Sequence, residues 1–413
     1  MKFYSICIIG LGYIGLPTAA VFAKHGMNVK GVDINQYVVD TINQGRIHIE
    51  EPGLEELVKD AVDKNLLKAY TTPQKADAFI MAVPTPFKGE DHEPNLDYIE
   101  AATRALAKVL EKGSLVILES TSPVGTTEKM SAWLAEERPD LTFPQGAGED
   151  SDIRVTHCPE RILPGQMIRE LVENDRIIGG MTPKCSAYTT ALYKTFVEGE
   201  CTVTSARIAE MSKLTENASR DVSIAFANEL SLLCDKMDID VWELIEMANK
   251  HPRVNILQPG CGVGGHCIAV DPWFIINAFP HDAHMIRTAR ETNDGKPLFV
   301  ISKVKEAIKD IKNPKIACLG LAFKPDIDDL RESPALEITK MLSDNGDFTI
   351  LAVEPNVKEL PKVLENRKNV ELVTLDDAKK KADIIVVLVN HKEFSMSTLD
   401  ASNKVLDFVN AVV

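Results

Sequence analysis

The chain has 413 residues, 45% hydrophobic and 26% charged, with a formal net charge of -15. This length requires two or three domains, the ordinary composition excludes a disordered chain, and the acidic balance excludes a surface built for nucleic acid or anionic lipid. No stretch reaches the ~20 apolar residues of a membrane helix, and Met1 leads directly into the strand-like KFYSICIIGLG with no leader pattern. Eight cysteines are scattered without CxxC pairs, which reads as reduced thiols and predicts a cytoplasmic protein.

In chain order, SICIIG, NVKGVDI, AFIMAV and LVILES are short apolar strands, each followed by a polar or helical stretch, and RVTHCPE and DRIIGG add further strands. The alternation predicts a doubly wound, Rossmann-like parallel sheet. LPTAAVFAKHG, with Pro17 near its start and Gly26 at its end, is the first helix. From about Thr204 to Leu233 a helical period runs without proline or glycine, so a long helix joins two lobes and offers a dimer interface. DVWELIEMANKH is further helix, and a Pro/Gly-rich loop follows. The last hundred residues repeat the opening theme in KIACLGLAF, FTILAVEPN, ADIIVVLVN and KVLDFVN, while Lys379 to Lys381 read as a solvated helix end. A faint echo links KGVDIN to LAVEPN and ADAFIMAV to ADIIVVLV. The expected division is an N-terminal α/β domain over 1–203, a central helical domain over 204–300 carrying the Pro/Gly-rich loop and the dimer contacts, and a second α/β domain over 301–413.

Gly10, Gly12 and Gly15 form G-x-G-x-x-G between the first strand and the first helix. Gly10 allows the tight turn, Gly12 lets the backbone approach a pyrophosphate, and Gly15 lets helix pack on strand. Asp33 ends the second strand, where a carboxylate accepts both ribose hydroxyls of NAD and repels a 2′-phosphate; the plainer alternative is a strand-end cap. Thr85 in VPTP and Thr121 and Thr126 in STSPVGTT lie at carboxyl ends of strands, where ligands of open α/β sheets bind, although Thr-Pro pairs also simply begin turns. Thr85 and Thr126 are assigned to the cofactor and Thr121 to the catalytic set.

GCGVGGHCIAVDP places four glycines before Cys267 and Asp271 four residues after it. The glycines admit close approach of backbone and ligand, and a thiolate nucleophile is the functional reading. Metal binding by Cys261, His266 and Cys267 is disfavoured because no fourth ligand stands at a recognisable spacing, so no metal is expected. Cys261 is read as structural. On the long helix Lys213 and Asn217 share a face, with Arg220 about two turns beyond Lys213; a solvated charged face is the alternative.

The motifs GLGYIGLP, STSPVGTT, AEMSKLTENASRD, GVGGHCIAVDP and GLAFKPDIDDLRESPA, in this order across nearly the whole chain, resemble the UDP-glucose/GDP-mannose dehydrogenase family. The resemblance implies oxidation of a nucleotide-sugar C6 alcohol to a carboxylate with two NAD, through a thioester on cysteine, by a homodimer joined through its central helix. CPERILPG, HPRVN and CIAVDPW look most like members acting on UDP-N-acetylhexosamines, so UDP-N-acetyl-D-mannosamine is the expected substrate and UDP-N-acetylglucosamine the alternative. Val270 stands where the UDP-glucose enzymes have lysine and Pro164 where they have an acidic residue, so those two roles are not carried over.

By the same resemblance Cys267 is the nucleophile, Lys213 the general acid/base or oxyanion partner, Asn217 and Asp271 hold the reacting oxygen or its water, and Glu160 assists thioester hydrolysis. Arg161, Ile162, Arg220, His251, Arg253, Gly264, Phe323 and Lys324, with Lys213 and Asn217, surround the UDP-sugar. Tyr13 and Ile14 line the dinucleotide turn, and Arg331 reaches the NAD phosphates. Arginines suit a diphosphate, and a lysine suits a developing alkoxide. Two rival readings stand beside this one: a one-step NAD alcohol or hydroxyacid dehydrogenase that needs no thiol, and a non-catalytic nucleotide-sugar-binding protein.

Overall fold

The computed structural model describes residues 3–89, 91–163, 165–265, 267–344, 347–394 and 404–411. It divides into two compact units, Met1–Thr215 and Glu216–Val413. The division falls inside the 32-residue helix Ala206–Met237, which begins two residues after the expected start, because Thr204 and Ser205 belong to the strand Cys201–Ser205, and runs four residues beyond the expected end.

The first unit is built on eight strands: β1 (Ser5–Ile9), β2 (Asn28–Val32), β3 (Leu67–Tyr70), β4 (Ala78–Met81), then, after the small hairpin of β5 (Phe87–Lys88) and β6 (Glu93–Pro94), β7 (Leu115–Leu118), β8 (Arg154–His157), β9 (Arg176–Gly180) and β10 (Cys201–Ser205). Their order is β10-β9-β8-β7-β4-β1-β2-β3. All neighbours are parallel except β8 and β9, an antiparallel join the sequence reading did not foresee. Strand order reverses between β1 and β4, so the ends of these two strands flank the crevice where such sheets bind ligands.

Side-chain alternation explains why both faces are covered. Ile6, Ile8, Ile80 and Ile117 share one core with Leu16, Ala20 and Phe22 of the helix Gly15–Lys24. Cys7, Ile9, Phe79, Met81, Val116 and Leu118 point the other way, into a core with Ile99, Leu106, Met130 and Leu134. Each such large aliphatic side chain stabilises the unit by roughly 1.5–3 kcal/mol relative to exposure.

The second unit carries a parallel sheet of β11 (Lys315–Leu319), β12 (Thr349–Val353), β13 (Val370–Leu372), β14 (Ile384–Val387) and β15 (Lys404–Asp407) in the order β13-β12-β11-β14-β15. It too is double-faced, with Ile316, Cys318, Ile384 and Val386 in one core and Ala317, Leu319, Ile385 and Val387 in the other. The sequence echo has a structural counterpart. Gly10 N–H donates to Val32 O and Gly320 N–H to Val353 O, both at 2.8 Å. Asp33 accepts from Leu11 N–H at 3.1 Å, and Glu354 accepts from Leu321 N–H at 2.8 Å. Asp77 and Asp383 each cap the start of the neighbouring first strand, at Ser5 and Lys315. Among the described residues no helix is long and apolar enough to cross a membrane.

Candidate active site

In the first unit the glycine turn separates packing from ligand access. Gly10 has φ +91°, and a Cβ on it would lie 2.4 Å from Ala82 O; a Cβ on Gly15 would lie 1.8 Å from Gly10 O. Gly12 is different: nothing lies within 4 Å of its added Cβ. The helix Gly15–Lys24 has no side-chain cap, and although Leu16 N–H donates to Gly12 O at 3.1 Å and Pro17 has no N–H, the positive end of its dipole favours an anion; Tyr13 and Ile14 are half-buried beside it. Asp33, half-buried, accepts from Leu11 N–H and, through its other oxygen, from Asn35 N–H at 2.9 Å. These residues fit a dinucleotide: an open turn for the pyrophosphate, and a carboxylate at the end of β2 for the ribose.

Thr85 and Thr121 are half-buried, at the ends of β4 and β7. Thr126 is buried, and its hydroxyl donates to Pro123 O at 2.6 Å. The N-terminus of the helix Thr126–Glu137 is capped from afar by Glu210, which accepts from Gly125 N–H at 2.6 Å and from Thr127 N–H at 2.7 Å.

Glu160 stands just past β8 and is only 9% exposed. Arg176 Nη2 lies 3.0 Å from it and Arg176 Nη1 lies 3.6 Å from Glu119. The Tyr193 hydroxyl donates to Glu119 at 2.6 Å, and its ring lies 4.4 Å from the guanidinium. Burial pushes the Glu119 carboxyl up to about 7; the nearby Glu160 charge adds to this and Arg176 opposes it. Sequence reading missed Glu119 and Arg176, whose signal is a charged residue beside each apolar strand run. Arg161 is exposed while its N–H donates to Glu160 at 2.8 Å, and Ile162 packs against the core.

In the second unit Cys267 is exposed and Asp271 is buried. Cys267 O accepts from Asp271 N–H at 2.8 Å, closing the turn that enters the helix Asp271–Ala278, where Pro272 fits the first turn. Asn217 Nδ2 donates to Asp271 Oδ2 at 2.5 Å. Lys213 lies one turn before Asn217 on the long helix and is half-buried, whereas Arg220 is exposed. A Cβ on Gly264 would lie 2.4 Å from Glu332 O and 2.8 Å from Phe323 Cβ, so the glycine loop is seated against the segment after β11. Arg331 is held by Asp329 through Nε at 2.9 Å, and Lys324 is exposed. His251 and Arg253 are exposed in the loop after the helix Val241–Asn249, where Arg253 N–H donates to His251 Nδ1 at 3.3 Å.

Cys261 is buried, and burial pushes its thiol up to about 12, the property of an inert core cysteine. His266 and Pro164 lie outside the described residues. Elsewhere Asp326, His391 and Glu393 offer ligand atoms within 4.8 Å of one another. His391 already accepts from Asp326 N–H at Nδ1 and faces Glu354 through Nε2 at 3.1 Å, so its ring serves the fold.

Comparison with known proteins covers nearly the whole chain. Three domains of the UDP-glucose/GDP-mannose dehydrogenase family match in order: the NAD binding domain over 4–197, the central domain over 207–295 and the UDP binding domain over 317–413. The chain is 68% identical over 407 residues to the UDP-N-acetyl-D-mannosamine dehydrogenase of Campylobacter jejuni, covering 98% of this chain and 99% of the relative. It is 62% identical over 394 residues to the NDP-N-acetyl-D-galactosaminuronic acid dehydrogenase of Ralstonia nicotianae, covering 95% and 92%. Among solved structures, the UDP-N-acetyl-mannosamine dehydrogenase of Staphylococcus aureus superposes with a TM-score of 0.87 at 42% identity, over 99% of this chain and 95% of that one.

Proposed function

The chain belongs to the UDP-glucose/GDP-mannose dehydrogenase family, and from that premise we propose that it oxidises the C6 alcohol of UDP-N-acetyl-D-mannosamine to the uronate. The observation that carries the chemistry is the exposed Cys267 in a glycine loop whose next helical turn is tied to Asn217 through Asp271. Bound NAD, held by Gly10, Gly12, Tyr13, Ile14, Gly15, Asp33, Thr85, Thr126 and Arg331, supplies the acceptor for the hydride that leaves C6, and it is needed twice.

The chain's own groups do the rest. Lys213, or a water held by Asn217 and Asp271, takes the hydroxyl proton, and Thr121 belongs to the same set. The Cys267 sulfur adds to the resulting aldehyde carbon, so the reactive aldehyde does not escape. Loss of the second hydride from that carbon leaves a thioester, which water opens with help from Glu160, freeing the thiol and the carboxylate. Arg161, Ile162, Arg220, His251, Arg253, Gly264, Phe323 and Lys324 hold the UDP-sugar, with arginines matched to the diphosphate.

We assign the NAD role to 1–203, the helical and catalytic-loop role to 204–300 and the UDP-sugar role to 301–413, a division supported by the order of the three family domains. A homodimer is part of the same reading. It is supported by Phe226, Leu233 and Met237, separated by seven and four residues on the long helix and each exposed. The eight cysteines are scattered through the chain without CxxC pairs, a spacing that supports placing the reaction in the reducing cytoplasm.

The Ralstonia relative gives a second reading specific support, a galacto-configured N-acetyl sugar. A panel of UDP-N-acetylmannosamine, UDP-N-acetylglucosamine, UDP-N-acetylgalactosamine and UDP-glucose, read by NADH release, tests both. The highest kcat/KM is expected with UDP-N-acetylmannosamine, and preference for any other sugar overturns the substrate assignment.

A further inference from the structure

Behind the cysteine loop runs a buried polar chain that the reaction scheme does not use. Asp221, Asn228 and Arg290 are fully buried and Asn293 is 1% exposed. Arg290 Nη1 donates to Asp221 Oδ1 at 2.5 Å, and its Nη2 donates to Asp294 at 2.9 Å. Asn293 Nδ2 donates to the same Asp221 oxygen at 2.8 Å, and Asn293 Oδ1 accepts from Asn228 Nδ2 at 2.8 Å.

The two ends of this chain grip the loop. Asn228 Oδ1 accepts from Gly260 N–H at 2.9 Å, at the start of the glycine segment. Arg290 Nη1 also reaches Ile268 O, the residue after Cys267, in a longer contact of 3.4 Å. Between them, a Cβ on Gly262 would lie 3.2 Å from Asn293 O, so the loop rests directly on the helix that carries Arg290 and Asn293.

Asn217, Asp221 and Asn228 are spaced by four and seven residues on the long helix, close to one and two turns, and therefore share a face. Their attachments meet the loop region at Asp271, Ile268 and Gly260 respectively, the middle one through Arg290. We propose that Asp221, Asn228, Arg290 and Asn293 are positioning residues that fix the Cys267 loop, at both its ends, against one face of the long helix. The proposal rests on the reading of Cys267 as nucleophile. Its physical content is pre-organisation: a flexible glycine segment holds a thiol in attacking geometry only when its ends are fixed, and buried polar groups hydrogen-bonded to one another fix them in one arrangement.

The test uses the full-length enzyme with Asn228→Ala at one end of the frame and Arg290→Lys at the other. NAD affinity reports the integrity of the first unit, and the pH profile of Cys267 alkylation by iodoacetamide, followed by mass spectrometry, reports the thiol's setting without turnover. We expect kcat for uronate formation to fall about 10- to 100-fold with NAD affinity unchanged and the alkylation profile displaced. A folded variant of either kind with unchanged kcat and an unchanged alkylation profile overturns the proposal; should Asn228→Ala fail to fold, Arg290→Lys decides it by the same two readouts. Cys267→Ser separates the two readings, because uronate formation at the full rate by that variant removes the nucleophile assignment whatever the frame variants do.

Discussion

Asn217 Nδ2 donates to Asp271 Oδ2 across 2.5 Å, joining two residues that are 54 apart in sequence and fixing the first turn after Cys267. The carboxylate is buried, so its removal leaves a poorly solvated amide behind and costs about 1–3 kcal/mol locally. Asp271→Ala is expected to lower kcat about 100- to 1,000-fold, as loss of a preorganised polar group does, with NAD affinity retained. Steady-state kinetics beside NAD titration checks this, and unchanged kcat would remove Asp271 from the reacting set.

The glycines of the first turn make separable predictions. Gly15→Ala drives a Cβ into Gly10 O and should lower the melting temperature, because helix and turn must part. Gly12→Ala meets no protein atom within 4 Å, so it should melt like the parent chain yet bind NAD weakly. Thermal melts and NAD titration of the two variants check the pair, and a destabilised Gly12→Ala with normal affinity would contradict it.

His157 at the end of β8 is fully buried with neither ring nitrogen hydrogen-bonded, and burial pushes its pKa from 6.5 down to about 3. The unfolded chain therefore takes up a proton that the folded chain refuses, and stability is lost as pH falls from 6.5 towards 3, at about 1.4 kcal/mol per pH unit. His157→Leu should show a shallower acid loss of stability over that window in urea unfolding. Parallel curves for the two proteins would exclude the mechanism.

Thiol chemistry should single out one residue. Cys267 is exposed and Cys201 half-buried, whereas Cys7 is held near 11 and Cys158, Cys261 and Cys318 near 12, each by burial. Brief alkylation followed by peptide mapping is expected to label Cys267 first, and a nucleotide sugar should protect it. Prior labelling of Cys201 would contradict this order.

The fold was legible wherever a local pattern decided it. Apolar strands buried on both faces, the period of the long helix and the echo between KGVDIN and LAVEPN all have structural counterparts, the last as Asp33 and Glu354 bonded to equivalent turn amides. The surroundings of the two carboxylates differ in a way the echo could not carry: Glu354 faces the buried His391 through Nε2, while Asp33 accepts from the Leu11 and Asn35 amides. Strands β3, β10 and β13 escaped notice because they are short or carry exposed positions that blur their alternation. The frame of Asp221, Asn228, Arg290 and Asn293 was invisible for another reason. Apart from the local Arg290–Asp294 bond, its bonds span 22 to 72 residues of sequence, and polar groups on amphipathic helices read as solvated until the fold turns them inward.

In the proposed reaction one thiol, Cys267, carries two successive oxidations of the same carbon. Its most direct test is the number of NADH formed per molecule of UDP-N-acetylmannosamine consumed, with the sugar product identified by mass spectrometry. Two NADH and a uronate are expected, with no uronate formed at an appreciable rate by Cys267→Ser; a single NADH with an aldehyde as the final product, or uronate formed at the full rate without the thiol, overturns the reading.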